Sequence, residues 1–303
     1  MKLTIEAQKP YNFDLSCNVF SDGDPQIRKY EEGKFWQVLD LNSKLIYISV
    51  KSSGTVEDPE LVLELKSNED ISDEDKEYVL KIILKMFNLD FNLKFFYNDV
   101  KNDKIMSKLT KTLYGLKTPT TQTVFESLVD SIVEQQISLK AAHSIERKII
   151  KKFGSSLNIG SNIYYAYPTP EQLNNALFNE LRKCGLSFRK VEYIKDISKQ
   201  IINGSLDLEK FKEYENIDEI IDELCEIRGI GKWTAELIVI RGLNGLNSFP
   251  ADDIGIRRVI SHYYCNDEKI SAKDARKIAL KWGKWKGLAA FYLIIAEMRD
   301  IKI

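Results

Sequence analysis

Cysteine is scarce and scattered: Cys17, Cys184, Cys225 and Cys265 are the four in 303 residues, and no two stand at a metal-ligand spacing. No metal site or disulfide framework is therefore expected, and the four read as reduced, mostly buried thiols. Long hydrophobic runs are missing too: 44% of residues are hydrophobic, yet no run is long enough to span a bilayer. Met1-Lys2-Leu3 opens no signal-peptide pattern, so a soluble, cytoplasmic protein with no membrane partner is expected. An excess of positive charge is also lacking. With 44 Lys and Arg against 45 Asp and Glu, the formal net charge is −1, and any nucleic-acid partner has to be met by a local field.

Local fields are present. Arg147-Lys148 with Lys151-Lys152, Arg182-Lys183, Arg189-Lys190, Arg257-Arg258, and Lys281 with Lys284 and Lys286 are basic clusters, while acid concentrates in 57–77 and 213–226. Taken singly, each basic cluster reads as a solvated helix face.

The length allows two or three units around sizeable cores. Residues 1–115 read as an α+β domain: strands over Lys2–Glu6, 35–39, 45–50 and 60–65 carry β-branched, aromatic or alternating apolar residues, and a helix over 72–87 is capped by Ser72. Turn residues around Tyr114-Gly115 and Pro119 mark a seam over 109–122, and 116–303 reads as an all-α domain. There, Phe125, Leu128, Val129, Ile132 and Val133 repeat at helical spacing up to Gln135-Gln136, and Ser138 is a fair N-cap for the next helix, 139–153. A helix over 171–178 follows Pro168-Thr169-Pro170. Trp282, Trp285, Phe291 and Tyr292 stripe the final helices, a pattern more often core than recognition surface.

The stretch 224–258 organises the rest. A helix ends near Arg228, Gly229-Ile230-Gly231 turns the chain, and a second helix runs from Lys232 to about Arg241. Its first N–H groups, beside Lys232, suit one phosphate; an ordinary hairpin with a glycine C-cap fits the turn equally well. A loop over 244–250 then delivers Asp252 and Asp253 at the start of an apolar helix, where either could be a structural cap. Gly185-Leu186-Ser187 partly echoes the turn, with serine for the second glycine, and reads as a structural hairpin.

Turn, following Lys232-Trp233-Thr234-Ala235, and Phe249-Pro250-Ala251-Asp252-Asp253 together resemble the helix-hairpin-helix (HhH-GPD) superfamily of DNA glycosylases, most closely its alkylation-repair, 3-methyladenine glycosylase II branch. The resemblance covers the chain from about Phe125 to the end, including the Trp282 to Ala289 run, and more loosely the rest, where the Tyr11 to Leu15 opening and the strand order look like the family's accessory N-terminal domain; the iron–sulfur loop of some members is missing. It implies a monomeric base-excision-repair enzyme that flips a damaged base out of double-stranded DNA and hydrolyses its N-glycosidic bond. By the same resemblance Asp253 is catalytic, with Asp252 the cap. Gly229, Ile230, Gly231, Lys232 and Thr234 bind DNA, Gln136 is the wedge, and Trp233 is a pocket wall with Phe125 or Tyr292 compensating for Leu237 and Ile294. No cofactor is implied, although relatives often hold a monovalent cation at the hairpin through backbone carbonyls. A nucleophilic lysine in bifunctional relatives stands where this chain has Trp233, and Lys232 is turned about 100° away on the helix, which points to water as nucleophile. An 8-oxoguanine-type glycosylase and a non-enzymatic damaged-DNA-binding protein are the alternatives.

Overall fold

The computed structural model describes residues 1–41 and 44–303. Strands β1 (Lys2–Glu6), β2 (Arg28–Glu31), β3 (Lys34–Leu41), β4 (Lys44–Ser52) and β5 (Glu60–Lys66) form an antiparallel sheet in the order β1-β5-β4-β3-β2. Side chains alternate across a strand. Phe35 and Leu39, Ile46, Ile48 and Val50, and Leu61, Leu63 and Leu65 therefore share one face, which α1 (Phe13–Cys17) and α2 (Asp73–Met86) cover with Phe13, Val79, Ile83 and Met86. Ser72 and Asp75 cap α2 reciprocally. Val38 and Tyr47 on the other face meet Leu157 and Ala166, from or beside a ribbon of β6 (Ser156–Ile159) and β7 (Asn162–Tyr165) that the sequence pattern did not show.

The rest is helical and has two cores. In the first, α5 (Val124–Glu134) packs with α6 (Leu139–Phe153), α7 (Pro170–Asn175), α8 (Phe178–Lys183), α9 (Phe188–Ile202), α10 (Ile217–Glu226) and α11 (Lys232–Leu243). In the second, α3 (Leu93–Val100) and α4 (Lys104–Thr112) join α12 (Ile254–Tyr264), α13 (Ala272–Ala279) and α14 (Lys286–Met298). Leu93, Phe96, Met106 and Leu109 thus lie with Trp282, Trp285 and Tyr292, and a division at 115/116 runs through this cluster. The start of the expected seam is helix, because Asp103 caps α4 and Met106 and Leu109 have a core to enter. The helix expected over 171–178 ends at Asn175, where Ala176 turns extended before α8. Of the cysteines, Cys17 and Cys184 are buried, but Cys225 is exposed and Cys265 half-buried.

The α5 helix also carries a charged row. Glu126, Asp130 and Glu134 repeat every fourth residue and so share a face. Arg28 of β2 pairs with Glu126, Tyr167 donates to Asp130 at 2.7 Å, and Arg241 of α11 pairs with Glu134 at 2.6 Å. The sheet, α5 and α11 are thereby tied together under the helical bundle. Glu146 of α6 reaches the same row with a buried Oε1 that no group bonds. Burial, then its carboxylate neighbours, raises the pKa of Asp130 to about 7 and of Glu146 to about 9.

Candidate active site

The hairpin is α10, a turn over 227–231, and α11. Gly229 has φ +96°, and a Cβ there would lie 2.4 Å from the Tyr193 ring. Both facts demand glycine. Gly231 is different: it is the N-cap of α11 with φ −97° and no side-chain cap, and a Cβ there would meet nothing within 4 Å. The first N–H groups of α11 have no partner within the helix and none from a capping side chain, and Lys232 beside them is exposed. Ile230 is buried, 4% exposed, so its side chain anchors the turn and can offer DNA only its backbone. Thr234 is also buried, and its hydroxyl accepts from Gln135 Nε2 at 3.1 Å. Its side chain thus braces the site from inside, and what it can offer DNA is its backbone N–H in the first turn of α11.

Gln135 joins this turn to a second one, since its Nε2 also donates to the Gly229 carbonyl at 2.9 Å. The next residue, Gln136, stands exposed at φ +59°, a left-handed position that turns the chain between α5 and α6. Lys190 steadies this turn from α9 by donating to the carbonyls of Val133 and Gln135 at 2.9 and 2.6 Å. Ser138 caps α6 as expected. Sequence reasoning missed Gln135 and Lys190 because both act through neighbours; only adjacency to Gln136 and to Ser187 pointed to them.

Asp253 is the N-cap of α12: Oδ1 accepts from Ile256 N at 2.9 Å. Its Oδ2 accepts from Trp233 Nε1 at 3.2 Å. One residue thus fills the capping role expected of Asp252 and meets the first turn of α11. Asp252 instead is exposed and pairs with Arg276 at 3.3 Å. Arg276 also pairs with the buried Glu236 at 3.0 Å, whose pKa burial raises. Trp233 is half-buried, with the N–H edge of its indole directed at the Asp253 carboxylate.

Phe125 is 7% exposed in the first core and Leu237 equally so. Tyr292 is fully buried, its hydroxyl donating to the Leu116 carbonyl at 2.9 Å and meeting Tyr97. As a pocket wall it is corrected: it belongs to the second core, with Trp282 and Trp285, whereas the neighbouring Phe291 and Ile294 keep partial exposure. Trp285 and Trp282 direct their N–H groups to Asp99 and Asp103, at 2.8 and 3.3 Å. The stripe is core.

Among the described residues no group of three or more His, Cys, Asp or Glu side chains could hold a metal. At the hairpin, the carbonyls of Ile227 and Gly229 accept from Ile230 N and Gln135 Nε2. Each keeps a second lone pair, the kind of donor a monovalent cation takes, and a cation held there would supply positive charge for one phosphate.

A bare helix start, an exposed glutamine turn tied to it through Gln135, and a carboxylate bonded by an indole thus stand together around the hairpin. Residues 129–284 match the model of the HhH-GPD superfamily base excision DNA repair proteins, and the chain belongs to that superfamily. A DNA-3-methyladenine glycosylase of Bacillus subtilis is 30% identical over 218 residues, 72% of this chain and 72% of that one. A 3-methyladenine DNA glycosylase structure from Archaeoglobus fulgidus superposes with a TM-score of 0.85 at 28% identity, covering 99% of this chain and 100% of that one. An 8-oxoguanine glycosylase/lyase of Clostridium acetobutylicum shares the fold, with a TM-score of 0.75 at 21% identity over 99% of each chain. Base-excision-repair glycosylase activity on damaged DNA follows for this chain from its family.

Proposed function

We propose that this glycosylase releases alkylated, 3-methyladenine-type bases from double-stranded DNA as a monofunctional enzyme, with water as the nucleophile. The observation that carries the reading is the 3.2 Å contact of Trp233 Nε1 with Asp253 Oδ2. The residue facing the carboxylate is an indole, while Lys232 is exposed beside the helix start. An indole cannot form a Schiff base. Its face does attract a cationic ring, and an alkylated purine carries that charge and leaves readily. Asp253 would then stabilise the positive charge that grows at C1′ as the base departs and orient the attacking water. Two donated hydrogen bonds, from Ile256 N and Trp233 Nε1, fix the carboxylate's orientation.

Gln136 would fill the gap left by the flipped base, and the turn over 229–231 would hold one phosphate with Lys232. The Bacillus and Archaeoglobus relatives, both 3-methyladenine glycosylases by name, support the substrate class. We take the enzyme to act as a monomer. A release assay on duplexes bearing alkyladenine, alkylguanine, hypoxanthine, uracil or 8-oxoguanine tests the proposal. Release of the alkylated bases without strand scission is expected. Release of 8-oxoguanine with scission would overturn it, and binding without release of any base would leave a damage-binding protein.

A further inference from the structure

Away from the hairpin and Asp253, the chain has an open groove of about 810 Å³ lined by Ser144, Arg147, Lys148, Lys151, Lys152 and Lys183 together with Asp24 and Cys184. The five lining residues of α6 fall at positions i, i+3, i+4, i+7 and i+8, so they form one stripe on one helix face. Lys183 adds a charge from the end of α8. Lys151 pairs with Asp24 at 2.7 Å and Lys152 with Glu180 at 2.9 Å. Arg147, Lys148 and Lys183 are exposed and form no ion pair with a carboxylate among the described residues. In a chain of net charge −1, three uncompensated cations around one concavity are a strong local departure.

We propose that this groove is a second DNA-binding site, taking the phosphate backbone of the duplex that flanks the lesion. The inference rests on the glycosylase reading and extends it beyond the reacting nucleotide. The stripe lies on the helix whose N-cap, Ser138, stands two residues after Gln136. At 1.5 Å per residue, Arg147 to Lys152 stand about 14 to 21 Å along α6 from Ser138, a reach of about four to six base pairs at 3.4 Å each. The cations span more than one phosphate spacing, and a lysine-rich stripe on one helix face follows a line of phosphates. The contact is therefore electrostatic and independent of sequence.

The test measures binding to three duplexes of about 24 base pairs carrying an abasic-site analogue. In one the analogue is central; in the others it lies about three base pairs from one end or the other, short of the groove's reach. The wild-type chain should bind one end-placed duplex about tenfold more weakly than the central one. The R147Q/K148Q/K183Q variant, which keeps the Lys151 and Lys152 ion pairs, should bind all three alike, with a salt slope lower by about 2 to 3. Its single-turnover base release at saturating enzyme should match wild type. K148Q alone should lower the slope by about 1 and serves if the triple variant loses its fold. Wild-type affinity and slope of the variants on all three duplexes would overturn the proposal, as would a deficit confined to duplex RNA. Loss of base release by the wild-type chain with the length dependence intact would count against the glycosylase reading and uphold the groove.

Discussion

The chain contains two helical hairpins of similar plan, the second one residue shorter before its turn, and the telling difference is Gly231 in one against Ser187 in the other. In the first, α10 and α11 are joined through Gly229 at φ +96°, packed on Tyr193; in the second, α8 and α9 are joined through Gly185 at φ +114°, where a Cβ would lie 2.9 Å from Ile145. The first glycine of each turn is thus demanded by the protein itself. Two residues on, the plans separate. Ser187 caps α9 with its own hydroxyl, which accepts from Lys190 N at 3.3 Å, and Lys190 then turns inward. Gly231 leaves the corresponding groups of α11 bare. A hairpin that satisfies its own helix start packs, whereas one that leaves it open can hold an anion. The second hairpin also braces the first: Arg228 pairs with Asp196 and Glu192 of α9, at 2.8 and 3.2 Å.

The largest expected effect lies where the first hairpin meets the carboxylate. Asp253→Asn should lower base release by about 100- to 1000-fold, the scale for losing an electrostatic transition-state group. Asparagine caps a helix about as well as aspartate, so binding to an abasic-site duplex and thermal stability should hold. Wild-type release in that variant, with loss in Asp252→Asn, would move the catalytic role by one residue.

Next come the glycines. Gly229→Val should cost stability, at least about 1 to 3 kcal/mol from backbone strain alone, with Tyr193 displaced in addition. Gly231→Ser has open space and a negative φ, so it should leave the unfolding free energy unchanged or raise it by about a few tenths of a kcal/mol, as a serine cap does. It should nevertheless weaken binding to damaged and undamaged duplexes alike. Equal stability losses at both glycines, read from denaturant unfolding, would erase the distinction between the two turns.

Beneath both hairpins lies the charged row of α5, which predicts a pH effect. Asp130 and Glu146 have folded pKa values raised to about 7 and about 9, mainly by burial. A raised carboxyl binds its proton more tightly folded than unfolded, so its contribution is largest below its unfolded pKa, near 4, and is lost as pH rises through the folded value. Stability should therefore fall between about pH 4 and 9, and Glu146→Gln should flatten that slope. An unchanged slope in the variant would remove Glu146 from the row. The smallest effect is that of Lys232→Ala, which should lower the salt slope of binding by about 1, one phosphate contact.

Where a local signal sufficed, the sequence was legible. Ser72 and Ser138 cap the helices expected of them, and the glycine turn with its following helix lies where its residues put it. What escaped depends on distant partners. β2 is a short, charged edge strand, Arg28-Lys29-Tyr30-Glu31, that exists because β3 is there to pair with it. The second core joins residues 93–116 to 249–301 across more than a hundred positions, a join that periodicity does not encode. Tyr292 and Phe291 are equally aromatic neighbours, and only the packed helix shows that Tyr292 turns to Leu116 while Phe291 keeps some exposure. Asp253 was placed, but its double engagement was not, because capping and the bond from Trp233 are visible only once α11 and α12 stand side by side.

The central claim, that an indole and not a lysine faces the reacting carbon, is tested most directly by borohydride trapping during turnover on an alkylated duplex. A Schiff-base intermediate would be reduced to a covalent protein–DNA adduct. Base release with no adduct above background and no strand scission is the predicted result. An adduct that forms with the wild-type chain and disappears in Lys232→Ala would contradict it.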